Sequence, residues 1–132
     1  YEHAVIPCEI RDQAPLSEAE LVSGECGRPR VTIEGETYGE RPFASAKNIW
    51  LSMLKSIFLH GSWLHLLGNM LFLWVFGNNI EERFGKVGFL AFFAAAGIAA
   101  TFAQVLIEPG STIPIVGASG AIAGVMGAYL LC

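Results

Sequence analysis

Formal charge is nearly missing from the second half of this chain. Residues 61–132 carry only Glu81, Glu82, Arg83, Lys86 and Glu108 of the twelve acids and eight bases. Charged residues make up 15% of the 132 and hydrophobic ones 53%, with a mean hydropathy of +0.49. A basic excess is lacking too. The net charge of -4 arises mostly in the first 60 residues, so no basic patch points to nucleic acid. Cysteine is sparse, at three residues, and the spacing of Cys8 and Cys26 fits no metal pattern. One soluble domain would be the default at this length. The segregated charge argues instead for a polar head followed by a lipid-compatible half.

Three uncharged or nearly uncharged runs follow the head, and a bilayer crossing takes about 20 apolar residues as helix. Val87–Ile107 is the cleanest. The run from Pro109 is broken at its front by Pro109 and Pro114. The run Ser56–Ile80 has no formal charge but contains His60, His65, Asn69, Asn78 and Asn79. The pattern predicts three membrane helices near 57–80, 87–107 and 115–132, hence an all-α membrane protein with an acidic, loop-rich N-terminal segment. A helix restarting near Gly117 is short for a full crossing, which reads as a helix that starts partway into the bilayer in a chain that is part of a longer protein. No run has the basic start and small-residue cleavage site of a signal peptide. Gly97, Gly120 and Gly124 offer flat surfaces for close helix approach.

In the head, Pro15–Val22 reads as a short helix, with Ser17 as cap, Glu20 three residues on as in a capping box, and Gly24 as terminator. Arg30–Thr37 allows a short strand or hairpin. Cys8 and Cys26 suit a disulfide in an oxidising compartment or two free thiols, and the sequence leaves both open. Cys132 reads as a packing residue. Trp50 beside Lys47 and Lys55 suits the membrane interface, where this stretch can lie flat before the chain dives. The short connector Glu81–Lys86 carries Arg83 and Lys86 and reads as cytoplasmic, which puts the head outside.

Polar residues within membrane runs are costly unless paired, so each is a functional candidate. His65 and Asn69 are one helical turn apart and share a face. Ser119 opens an apolar helix, where free N–H groups and the positive end of the dipole favour negative charge. These are the elements of an oxyanion hole for acyl transfer. Each feature also has a plainer reading. Gly117-Ala118-Ser119-Gly120 alone fits a packing surface, and His65 alone fits an interhelical hydrogen bond. The nucleophile elbow of the hydrolase fold is excluded, since it needs glycine where Ala121 stands.

Taken together, Phe58-Leu59-His60-Gly61-Ser62-Trp63-Leu64-His65-Leu66-Leu67-Gly68-Asn69, then Gly77-Asn78-Asn79-Ile80-Glu81-Glu82-Arg83-Phe84-Gly85, then Gly117-Ala118-Ser119-Gly120 strongly resemble the rhomboid family of intramembrane serine proteases, in its bacterial form. The resemblance covers about residues 50–132 and implies part of a six-helix core. The three runs would be its helices 2, 3 and 4, residues 1–55 the first extracytoplasmic loop, and 56–132 the partial transmembrane domain. It implies Ser119 as nucleophile, His65 and Asn69 lining the oxyanion hole, and His60, Gly117 and Gly120 in support. The family's base, a histidine on helix 6, would lie outside this chain. Two positions depart from the family pattern. Leu51 follows Trp50 where many members have arginine, and Ala123 stands where many have a tyrosine that stacks on the base.

The expected function is therefore an intramembrane serine endopeptidase that cleaves transmembrane segments of other proteins. It would act in the full-length parent, as a multi-pass protein of a bacterial cell membrane, with no cofactor or metal. Its partners would be transmembrane substrates and the lipid bilayer. The alternative is a catalytically inactive rhomboid-like protein that binds membrane helices.

Overall fold

A computed structural model describes residues 3–44 and 46–131, and it is mostly helical. The head holds two short helices, α1 (Pro7–Asp12) and α2 (Glu18–Ser23), and an antiparallel hairpin of β1 (Val31–Ile33) and β2 (Glu36–Tyr38). The helix α3 (Ile49–Phe58) leads to α4 (Trp63–Phe72), a π-helical stretch at Leu73–Gly77, α5 (Asn78–Ile107) and α6 (Ser119–Leu131).

The helix α2 forms as its local sequence demands. The Ser17 hydroxyl accepts the Glu20 N–H, the Glu20 carboxylate accepts the Ser17 N–H, and Gly24 closes the helix at φ 73°. The hairpin expected over 30–37 is present, with Thr32 facing Thr37. The helix α1 had no clear sequence signal, and its reason is tertiary. Ile6 and Cys8 bury against Leu16, and Cys8 is disulfide-bonded to Cys26.

From Trp63 to Ile107 a helical stretch of 45 residues is long and apolar enough to cross a membrane. At 1.5 Å per residue it would be about 68 Å long if straight, twice the hydrocarbon thickness. It is not straight. Gly85 sits at φ 72°, ψ 164°, outside helical geometry. Across that break the chain doubles back: a Cβ on Gly77 would touch the Phe89 ring at 3.4 Å, and Leu73 and Phe93 pack on one cluster. The result is a helical hairpin with limbs 63–84 and 86–107, each about 33 Å long.

The helix α6 lies against the second limb through small residues. A Cβ on Gly120 would fall 2.4 Å from the Ala100 methyl, and one on Gly124 2.6 Å from the Ala96 methyl. Four residues up one helix correspond to four down the other, so the two run antiparallel. Without side chains between them, the backbones approach closely. At its far end Tyr129 packs edge-on against Phe76, with ring centroids 5.2 Å apart. The helix α6 therefore runs alongside the first limb, with Gly117 at one end and Tyr129 at the other.

The starting point of the first limb differs from the sequence expectation near 57. The helix α3 ends at Phe58, Leu59 is extended, and a new helix opens at Trp63 under a Ser62 cap whose hydroxyl accepts the His65 N–H at 3.1 Å. Trp63, Leu64, Leu67 and Trp74 are exposed along the first limb, and Trp50 and Phe58 on α3.

The head is fastened to the end of the bundle opposite Gly85. Ile115 donates to the Val5 carbonyl at 2.8 Å and Cys8 to the Ser111 carbonyl at 3.0 Å. Lys47 and Glu9 form an ion pair whose side chains are both only 2% exposed. Glu9 also accepts the Leu16 N–H at 2.9 Å, so the buried carboxylate is met on two sides.

Candidate active site

The site is built where the segment 108–118 delivers the chain into α6. Gly117 has φ +104°, a conformation that side chains with a Cβ rarely adopt. Its N–H donates to the Ser56 carbonyl at 2.8 Å. The face where a side chain would project is filled by His65: an added Cβ would lie 2.5 Å from Cε1 and 2.8 Å from Nε2 of the imidazole. Two residues later Ser119 begins the helix. The Ala118 carbonyl accepts the first helical N–H, from Ile122, at 2.9 Å. Glycine at 117 thus serves both the turn and the close seating of a ring from α4.

Around His65 the other polar residues are ordered by the same helix. Asn69 is one turn further along, buried, and its amide nitrogen has no hydrogen-bond partner among the described residues. A buried donor left unpaired costs about 1–3 kcal/mol. His60 meets His65 edge-on, with ring centroids 5.4 Å apart. Its Nδ1 is 3.1 Å from the Phe58 carbonyl, while its Nε2 is buried and unpaired among the described residues.

The structure therefore seats His65 between His60 and Gly117, with Asn69 one turn along α4 and Ser119 two residues after Gly117 in the chain. Ser119 is exposed. Gly120 faces the other way, onto Ala100, and its contribution is the close α5–α6 approach. No histidine other than His60, His65 and His3 exists in the chain, so a base for Ser119 has to be sought among those three or elsewhere.

Ser119 opens onto a cavity of about 410 Å³, walled by Gly97, Ala100, Gly120 and Ala121 and edged by Gln104, Glu108 and Ser111. Pro7 of the head reaches its rim. Sequence reading did not join Gln104 and Glu108 to the site. The signal available was that Glu108 is the sole formal charge after Lys86.

Cys8, Asp12, Glu20 and Cys26 are gathered in the head, all four with ligand-type atoms within 4.8 Å. The two sulfurs are joined in a disulfide, and both carboxylates are engaged. Asp12 accepts two bonds from Arg11, and Glu20 accepts from Ser17 and Gly27. This cluster is a structural knot.

The sequence resembles known proteins. The family model of the Rhomboid domain matches residues 47–132. Rhomboid protease GluP of Bacillus subtilis (strain 168) is 40% identical over 85 residues, 64% of this chain and 16% of that one. The putative rhomboid protease YdcA of the same organism is 36% identical over 101 residues, 76% of this chain and 48% of that one. The mitochondrial presenilin-associated rhomboid-like protein of Bos taurus is 36% identical over 86 residues, 64% of this chain and 23% of that one. The chain spans less than half the length of each. No solved structure gives a significant match. A Rhomboid-domain match over most of its length, with rhomboid relatives at 36–40% identity, shows that this chain belongs to the rhomboid family, whose members are helical membrane proteins.

Proposed function

We propose that the full-length protein is an intramembrane serine endopeptidase and that this chain supplies its nucleophile and oxyanion-binding half. The observation that carries the reading is the seating of the His65 imidazole on Gly117, two residues before Ser119. In this mechanism the Ser119 oxygen attacks the carbonyl carbon of a peptide bond in an unwound membrane segment. A base, a histidine on a later helix of the parent, takes the hydroxyl proton and passes it to the leaving amine. The negative charge on the carbonyl oxygen is met by the Ser119 N–H at the positive end of α6 and by donors from His65 and Asn69. A water then hydrolyses the acyl-enzyme ester and frees the serine.

The unpaired Asn69 amide supports this assignment, because a donor held without a partner is available for the oxyanion. In the same reading, residues 56–132 form three of six core helices and 1–55 the first loop. That loop is extracytoplasmic, opposite a cytoplasmic turn bearing Arg83 and Lys86. A disulfide between Cys8 and Cys26 suits that compartment. Partners are transmembrane substrates and the surrounding lipid, with no cofactor.

One feature favours a second reading. The Ser119 hydroxyl has no hydrogen-bonded base among the described residues, and a serine without one is a weak nucleophile. A catalytically inactive protein that holds membrane helices in the same cleft would look alike here. Cleavage of a reporter membrane substrate by the full-length parent, and its loss in a folded Ser119→Ala variant, supports the protease. Equal cleavage by parent and variant rejects Ser119 as nucleophile, and no cleavage by either favours the binding protein.

A further inference from the structure

Glu108 ends the second limb at the mouth of the cavity onto which Ser119 opens. From residue 87 onward it is the sole formal charge in the sequence. Its carboxylate is held by Gln104, whose Nε2 donates to Oε2 at 3.3 Å, and no ion pair to it is present among the described residues. A cation does come near the loop: Arg11 Nη1 would lie 3.9 Å from a Cβ on Gly110. That guanidinium is already committed to Asp12 through two hydrogen bonds of 2.6 and 2.8 Å.

Apart from Glu108 the lining carries no charge, with Gly97, Ala100, Gly120 and Ala121 as small residues beside the apolar Ile113 and Ile115. The space, about 410 Å³, falls in the range of ligand-sized pockets. An aliphatic stem can lie along such a wall with its charged head at the wet rim, as lysine and arginine stems do on apolar surfaces. Resting on the protease reading of Ser119, we propose that Glu108 gives this cleft a preference for substrates with a lysine or arginine beside the scissile bond. An acidic residue there would meet a like charge and be disfavoured.

The test uses the full-length parent and a set of reporter membrane substrates that differ only at the residues flanking the cleavage point, bearing lysine, methionine or glutamate. Lysine should be favoured over methionine in kcat/KM by about two- to five-fold at low salt, the size of an exposed ion pair. The preference should fade as salt is raised, because exposed charges are screened. Glu108→Gln should bring the ratio of lysine to methionine kcat/KM to about one, whatever the absolute rates. Glu108→Lys should turn the preference toward glutamate. Equal cutting of lysine and methionine substrates by the parent, or a lysine preference that survives Glu108→Gln or high salt, overturns the proposal. The salt titration of the parent stands even where a variant does not fold. Methionine cleavage that is blocked by Ser119→Ala keeps the protease reading intact whichever way the charge test falls. No cleavage of any substrate by the parent sinks both.

Discussion

The imidazole of His65 occupies the space that a side chain at Gly117 would need. A Cβ there would be 2.5 Å from Cε1, and the backbone at φ +104° is already hostile to any residue but glycine. The turn into α6 and the position of a ring on α4 are therefore one structural unit.

That unit makes Gly117→Ala a severe change. The methyl must displace the ring, and the backbone must be held in a disfavoured region, each at a cost of about 1–3 kcal/mol. Thermal unfolding of the full-length parent in detergent should shift downward, and reporter cleavage should fall by more than about tenfold if the displaced ring serves the oxyanion. Gly127→Ala is the control. Nothing lies within 4 Å of its added Cβ and it is within a helix, so stability should be unchanged or rise by up to about 1 kcal/mol.

Asn69 separates function from stability. Its amide nitrogen is buried without a partner, so Asn69→Ala removes no hydrogen bond of that nitrogen within the described residues. Unfolding should move by no more than about 1–2 kcal/mol, the usual range for a modest truncation. Turnover in the parent should drop by about ten- to a thousandfold, as for a lost oxyanion donor. A full-rate variant would remove Asn69 from the hole.

The α5–α6 contact is testable by a double-mutant cycle. Gly124→Ala puts a methyl 2.6 Å from that of Ala96 and should destabilise by about 1–3 kcal/mol through overpacking. Ala96→Gly should recover part of that loss, and the coupling should be about 0.5 kcal/mol or more. Strict additivity in denaturant unfolding would mean that the two helices do not meet there.

Acid should loosen the head first. Burial alone would push the Glu20 carboxyl up, but N–H groups of Ser17 and Gly27 and the Ser17 hydroxyl together hold it below its ordinary 4.5. A group depressed in the folded state stabilises above its unfolded value, and that stability is lost as pH falls through the folded one. Head stability should therefore be flat near neutrality and decline below about pH 4.5. Protease sensitivity of the head across that range should show the decline, and Glu20→Gln should blunt it. An unchanged acid profile in the variant would contradict the assignment.

What could be read from sequence was what depends on neighbours a few residues apart. The Ser17–Glu20 capping box lies within one turn and is visible as spacing. The one-turn spacing of His65 and Asn69 is likewise a property of the helix they share. Trp63 is legible as the entry to the first membrane run, but the helix end at Phe58 is not, because no formal charge marks it; Ser62 as a cap was the clue. The helix α1 was missed for another reason: six residues hold little periodicity, and Cys26, Leu16 and Ser111 fix them from elsewhere. The π-helical stretch at Leu73–Gly77 has no pattern of its own. Nor could spacing show that Gly117 carries an imidazole, or that Glu108 and Ser119 share a cavity, since both depend on how separate helices meet.

Reactivity of the Ser119 hydroxyl is the most direct test of its role as nucleophile. The full-length parent, folded in detergent, is treated with a serine-directed fluorophosphonate and the adduct is mapped by mass spectrometry. The predicted result is a single phosphonylated residue, Ser119, with labelling slowed in Asn69→Ala. Reporter cleavage that continues with Ser119 unmodified, or an adduct on a different serine, would contradict it.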